Sequence, residues 1–327
     1  MPSTFPSLSS LYPTPDSLLI SLREAVARAK GTESVAGTSA LGRPLVRFDL
    51  GTPGRPTILL TALMHGVEVI GSQALLDVLV KLGNPFDPAM QRLRSEAHWV
   101  VLPVVNPDAF FANMQKVGRG ERAWQRCNGQ GVDLNRNFPR LTTKRLYHPF
   151  SGSRFKRSPH YVGPHALSEP ESRAIFRVAH DTKPMLSLAF HSFGNMLLYP
   201  WAYTSRENDR DAEYRALGAA MTAALTIPYR VRQARQLYAV LGDMDDWLDA
   251  ELGTLAFTVE VGRPDVGWRD GRHLSNPFRW MNPVRVRETV DNLTPGILAL
   301  ASSALGISAA PASRPVATRP AIDFAAK

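Results

Sequence analysis

The chain has 327 residues, 44% of them hydrophobic and 20% charged, a balance that excludes global disorder and supplies a core without cross-links. Its single cysteine, Cys127, excludes an internal disulfide and a cysteine-based zinc site, so any metal must rest on histidine and carboxylate. Lysine and arginine exceed aspartate and glutamate by 38 to 29, but the arginines are scattered, which argues against nucleic acid and suits solvation or an anionic substrate such as a carboxylate; no run reaches the roughly 18 apolar residues of a membrane span.

Met1–Tyr12 has no basic stretch leading into an apolar one, so no secretion signal is read and a cytoplasmic location is expected. Met1–Pro15, with four prolines, and Ala301–Lys327, mostly Ala, Ser, Pro and Thr, are expected to lie loose. No repeat or long linker divides the rest. The expected organisation is an N-terminal extension over 1–16, one domain over 17–304 and a disordered tail over 305–327.

Asp16–Ala29 reads as a helix with Asp16 or Ser17 as its cap. Pro44–Leu50 alternates like a strand. Thr57–Met64 is a continuous apolar run, suited to a strand covered on both faces. Val69, Ile70, Leu75, Leu76, Leu79 and Val80 mark one face of the helix that follows. Trp99–Val105 is another buried strand. Ser168–His180 is a helix, whose Ser168-Glu169-Pro170-Glu171 start offers a cap, a first-turn proline and a capping-box glutamate. Met185–Phe190 is a strand, Glu213–Leu225 a helix and Thr254–Val261 a strand. This alternation predicts an α/β fold: a single domain with a mixed, mostly parallel twisted β-sheet and helices on both faces. Ligands gather at the strand ends of such sheets.

The polar residues with chemical potential fall at those ends. His65 and Glu68 stand where a buried strand turns into a helix; three apart, they can share one metal ion, though such a pair is commoner on surfaces. His191 ends an apolar run, either as a ligand or as a hydrogen-bonded strand cap. Arg126–Phe138 places arginines, asparagines and Asp133 in a glycine-bearing loop, and arginine presents a fork matched to a carboxylate. Glu260 lies among β-branched and apolar neighbours. Burying it unpaired is costly, so it is paired, beside a metal, or on a solvent-facing pleat.

In order and spacing these residues resemble a family. His65-x-x-Glu68, Asn106-Pro107-Asp108, Arg126-x-Asn128-x-x-Gly131-Val132-Asp133-Leu134-Asn135-Arg136-Asn137-Phe138, His191-Ser192-Phe193-Gly194 running into Leu198-Tyr199-Pro200-Trp201, and Thr258-Val259-Glu260 are similar to the M14 zinc carboxypeptidases, the short cytoplasmic bacterial-type members above all. Gly37-Thr38-Ser39-x-x-Gly42-Arg43-Pro44-Leu45 resembles that family's opening strand motif. The likeness covers roughly residues 35 to 300. It implies one zinc ion per chain on His65, Glu68 and His191, with Glu260 as general base toward the activated water. Arg126 would polarise the scissile carbonyl and stabilise the oxyanion. Asn135 and Arg136 would grip the free carboxylate of a peptide substrate. Asp133 would orient a ligand imidazole, His65 in the first instance, and Tyr238 would close over bound substrate.

The sequence departs from the pattern at Val67, where many digestive-type members carry an arginine that touches substrate. Spacing around Trp124-Gln125-Arg126 is one residue looser than in those members. Arg126 is preferred to Arg119 or Arg122 because its distance to Gly131-Val132-Asp133 fits the shorter ones. Counted from Tyr238, Asp245 falls where the family sets the depth of its side-chain pocket, and a carboxylate there favours Lys, Arg or diaminopimelate. Alternatively, Asp243, Asp245 and Asp246 only furnish a helix N-terminus, where carboxylates suit the dipole. The implied activity is hydrolysis of the C-terminal peptide or amide bond. Three other readings stand beside it: a murein peptide amidase cutting γ-D-Glu–diaminopimelate, an aspartoacylase-type deacylase of N-acyl amino acids, and a non-catalytic peptide-binding relative. Tyr238 with Asp246-Trp247 speaks against the deacylase, and the full ligand set with Glu260 against the non-catalytic relative.

Overall fold

The apolar runs of the sequence become the middle of one sheet. The computed structural model describes residues 7–144, 148–264 and 276–308. Strands β3 (Thr57–Ala62), β4 (His98–Leu102) and β5 (Leu186–His191) are buried at every position, and β8 (Leu255–Glu260) at all but two. The flanking strands β1 (Thr32–Thr38), β2 (Pro44–Gly51), β6 (Met196–Tyr199) and β7 (Arg230–Gln233) carry more exposed positions or are short. The order is β1-β2-β4-β3-β5-β8-β6-β7. Four of the seven pairings among the described residues are parallel, including all of the centre from β4 to β8. The expected mixed, mostly parallel sheet is therefore present.

Side chains of β3 alternate between two cores, as strand geometry requires. Ile58 and Leu60 enter one with Phe48, Trp99, Phe190 and Phe257; Leu59 enters the other with Val100, Leu102 and Ala189. The first core is covered by α2 (Pro15–Arg28), α3 (Ile70–Leu82), α7 (Asp211–Ala223) and α10 (Val286–Ser308), the second by α6 (Pro170–Thr182) and α8 (Met244–Leu252). Helices thus lie on both faces. Short helices α1 (Leu8–Leu11), α4 (Pro88–Ser95) and α9 (Pro277–Met281), and α5 (Pro107–Gly118), complete the described α-helices.

The helix starts differ in detail from expectation. α2 begins at Pro15 and its cap is Thr14, whose hydroxyl accepts from Ser17 N at 3.2 Å. Proline at the first position, with φ already helical, moves the start upstream. In α6, Glu169 occupies the cap position without a side-chain cap bond, and the Ser168 hydroxyl donates to Glu169 Oε1 at 2.7 Å. The capping box therefore does not form.

The termini depart further from expectation. Leu8 and Tyr12 are buried, and Tyr12 donates to Pro283 O at 2.6 Å with its ring edge-on to Phe278. α10 continues to Ser308, and Leu300, Ala301 and Ala304 are fully buried in its seam. The small residues there allow close helix approach rather than looseness: a Cβ on Gly296 would meet Met221 Cγ of α7 at 3.0 Å. Residues 309–327 of the expected tail lie outside the described residues. Tyr12→Phe is expected to lower the unfolding free energy by about 1 kcal/mol through one lost hydrogen bond; an unchanged denaturant midpoint would dismiss that contribution. No helix among the described residues is long and apolar enough to cross a membrane.

Candidate metal centre and substrate cleft

β3, β5 and β8 run parallel and end side by side, so their carboxyl ends form one edge of the sheet. His191 closes β5 directly opposite Glu260, which closes β8. The chain leaves β3 through Leu63, in the left-handed region with φ 53°, and turns across His65–Glu68 into α3. Gly66 must be glycine here, because a Cβ would overlap Ala109 at the start of α5. Asn106 caps α5 by accepting from Ala109 N at 3.1 Å. Its amide donates to the carbonyls of Met64 and Arg126, both at 3.3 Å. It thereby ties the His65 turn to the Arg126 loop, a job that its place in Asn106-Pro107-Asp108 did not disclose.

The three expected ligands converge. His65 Nδ1 lies 2.9 Å from Glu68 Oε1 and 3.1 Å from His191 Nδ1, which lies 2.9 Å from Glu68 Oε2. All three are buried. Tetrahedral zinc with bonds near 2 Å needs ligand atoms roughly 3.3 Å apart, so small shifts suffice. The donor chemistry also fits. His65 Nε2 stands 3.1 Å from Asp133 Oδ1, which fixes the proton on that nitrogen and turns the Nδ1 lone pair toward Glu68 and His191. Burial alone would raise the Glu68 pKa, but His65 and His191 outweigh it and hold the carboxyl well below its usual range. Two imidazole nitrogens and an ionised carboxylate facing one buried point suit a divalent cation.

Arg126 bridges this cluster to its support: Nε lies 3.1 Å from Asp133 Oδ2 and one terminal nitrogen 3.4 Å from Glu68 Oε1. Asp133 is fully buried, a burden that would raise its pKa; Arg126, Arg136 and His65 reverse this and keep it well below the normal range. Its Oδ2 also takes His160 Nδ1 at 3.3 Å.

Glu260 differs from the other two acids. Its Oε2 is buried with no hydrogen-bond partner among the described residues. Burial and the nearby Glu68 charge push its pKa up to about 7, against the pull of His191 and Arg126. A carboxyl poised near neutrality and free of partners is able to exchange a proton.

Asn135 and Arg136 lie on a 3-10 turn, Leu134–Arg136. The Asn135 amide donates to Asp243 Oδ1 at 2.9 Å and accepts from Met244 N at 3.0 Å, docking the turn on α8. One of its N–H groups remains. Buried Arg136 gives Nε and one terminal nitrogen to Phe150 O at 3.0 and 2.9 Å and the other to Asn135 O at 2.8 Å. Tyr238 stacks on His148 at 5.3 Å and meets Phe150 edge-on at 5.6 Å. Neither Phe150 nor His160 carried a signal in the sequence; both contacts reach across loops.

The three aspartates of α8 part company. Asp243 caps the helix through the backbone N–H groups of Asp245 and Asp246. Asp246 holds the backbone N–H groups of Ala202 and Tyr203. Asp245 receives only the Thr258 hydroxyl, at 2.6 Å on Oδ2, and its Oδ1 is buried without a partner among the described residues. Burial and the Asp243 charge push its pKa well above the carboxylate range. Thr258 precedes Glu260 by two on β8, so both side chains leave the same face of the strand.

Residues 22–269 match the family model described as zinc carboxypeptidase. Carboxypeptidase B of Helicoverpa zea is 27% identical over 290 residues, 80% of this chain and 63% of that protein. The chain thus spans less than two thirds of that relative's length. Carboxypeptidase A from Helicoverpa armigera superposes with a TM-score of 0.75 at 21% identity, covering 94% of this chain and 78% of the other. The murein-tripeptide amidase of Escherichia coli O157 gives 0.52 at 22% identity over 84% and 91%.

Proposed function

Given that the chain belongs to the zinc carboxypeptidase family, we propose that it removes the C-terminal residue of peptides with a free carboxylate, preferring basic or amino-bearing ends. One observation carries the reading: the buried His65–Glu68–His191 triangle lies beside Glu260 on the adjoining strand end, whose buried Oε2 has no hydrogen-bond partner among the described residues. Zinc held by those three residues supplies a Lewis acid for the scissile carbonyl and lowers the pKa of water. Glu260 takes the proton of the attacking water and delivers it to the leaving amine. Arg126, near Glu68 and half-buried, offers positive charge to the developing oxyanion. The remaining N–H groups of Arg136 and Asn135 receive the terminal carboxylate, which fixes the bond one residue inward. Tyr238 covers the bound end. The open oxygen of Asp245 receives a cationic side chain. A diaminopimelate end carries both an amine and a carboxylate, so the same groups serve the murein amidase reading.

The test is mass spectrometry of cleavage on paired peptides with free or amidated C-termini, including a γ-D-Glu–diaminopimelate peptide. Charge-assisted bonds to the carboxylate make the free acids faster by about tenfold to a hundredfold. Amidated peptides cut equally fast would remove the roles of Asn135 and Arg136. A chelator is expected to abolish cleavage and added zinc to restore it; turnover that survives exhaustive chelation would overturn the metal assignment.

A further inference from the structure

Two residues outside the reacting groups connect several of them. Phe150 gives its carbonyl oxygen to Arg136 and sets its ring against Tyr238. His160 reaches Asp133 Oδ2 at 3.3 Å, and its ring centroid lies 5.1 Å from that of Phe150. Asp133 in turn carries His65 on one oxygen and Arg126 on the other. The Phe150 residue is 48% exposed, so core burial does not account for its position.

We propose that Phe150 and His160 are a positioning pair that joins the carboxylate clamp, Arg136 and Tyr238, to Asp133 and through it to His65 and Arg126. The proposal rests on the function assigned above. Arg136 follows Asp133 by three on one loop, but Tyr238 comes from another part of the chain, and a carboxylate held out of register by a fraction of an ångström misplaces the scissile bond. The pair ties Tyr238 back to the turn that carries Asp133 and Arg136. Asp133 is ionised and only accepts, so the His160 Nδ1 carries the proton in this contact. Its loss leaves Oδ2 with Arg126 alone. Phe150 acts from the other side, with its carbonyl on Arg136 and its ring edge-on to Tyr238.

Three variants separate the two halves. Phe150→Leu keeps the carbonyl and loses the ring. His160→Phe keeps a ring and loses the donor. His160→Asn keeps a donor nitrogen and loses the ring. For a free-acid peptide ending in arginine, Phe150→Leu is expected to raise KM about tenfold with kcat within about threefold. His160→Phe is expected to lower kcat about tenfold and to weaken zinc affinity, measured by chelator competition, by about tenfold. His160→Asn should regain most of the zinc affinity, and it carries the test if the phenylalanine variant fails to fold. Combined Phe150→Leu and His160→Phe should lose less than the product of the single losses. The pair is rejected if the single variants stay within about twofold of the parent in KM, kcat and zinc affinity, or if their effects multiply. A parent protein that cuts no peptide would instead sink the proposed function; chelator competition and calorimetric binding of free arginine would still decide the pair.

Discussion

Glu260→Gln is expected to lower kcat/KM by about 10²–10⁴-fold while the chain keeps its zinc. Glutamine has nearly the same shape and cannot accept a proton. Glu260 is not among the three converging ligands, so metal content should remain one ion per chain by elemental analysis. The wild-type pH profile follows from the same residue. Its carboxyl must be ionised to act as base, and burial lifts the free protein's value to about 7. Activity should therefore fall on the acid side, with a limb at or below pH 7, since a bound dication can only pull the value down. Stability moves oppositely. The folded-state pKa of Glu260 lies above its ordinary 4.5, so folded Glu260 binds a proton that the unfolded chain has released. Its contribution is full below about 4.5 and is lost as pH rises through about 7. Metal-free Glu260→Gln should accordingly be no less stable than the parent at pH 8 in thermal melts. Turnover retained by this variant would show the base to be misassigned.

Legibility followed sequence distance. β3, β5 and β8 were readable because a strand covered on both faces must be a continuous apolar run; His65, Glu68, His191 and Glu260 stood out at or beside the ends of such runs, but only the likeness of ordered motifs suggested their roles. Membership of the zinc carboxypeptidase family, seen first as a likeness of ordered motifs, is shown by the match over residues 22–269. The helix α10 was not readable: alanine and serine look like loose chain until a neighbouring helix comes close enough to need small residues, as α7 does through Met221 at Gly296. Asn135 shows the same limit within the site. It appears beside Arg136 as a free clamp residue, yet its amide is largely occupied by Asp243, 108 positions away. His160 and Phe150 act through one carbonyl and one carboxylate across loops, and no periodicity reports such contacts. The acidic triplet was ambiguous because a helix cap and a pocket base use the same residue type. The partners of Asp243 and Asp246 are backbone N–H groups, and only Asp245 is left with an open oxygen.

Asp245→Ala is expected to reduce the preference for arginine-ended over leucine-ended peptides by about 10²–10⁴-fold. A buried ion pair broken by removal of one partner costs about 3–5 kcal/mol, and each 1.4 kcal/mol is about tenfold in rate. The entering guanidinium or ammonium would lose that carboxylate and meet a Thr258 hydroxyl deprived of the acceptor it now holds at 2.6 Å. Asp245→Asn isolates charge from shape, because it keeps an oxygen for Thr258 and removes the negative charge; it should shift the preference in the same direction. In the free protein burial and Asp243 favour the neutral form of Asp245, so the preference for basic ends should strengthen as pH rises and more of the carboxyl ionises. Leucine-ended peptides gain nothing from that ionisation, so the ratio of the two kcat/KM values isolates it from the titration of Glu260. A ratio that stays unchanged in both variants would return Asp245 to the role of an ordinary first-turn acid of α8.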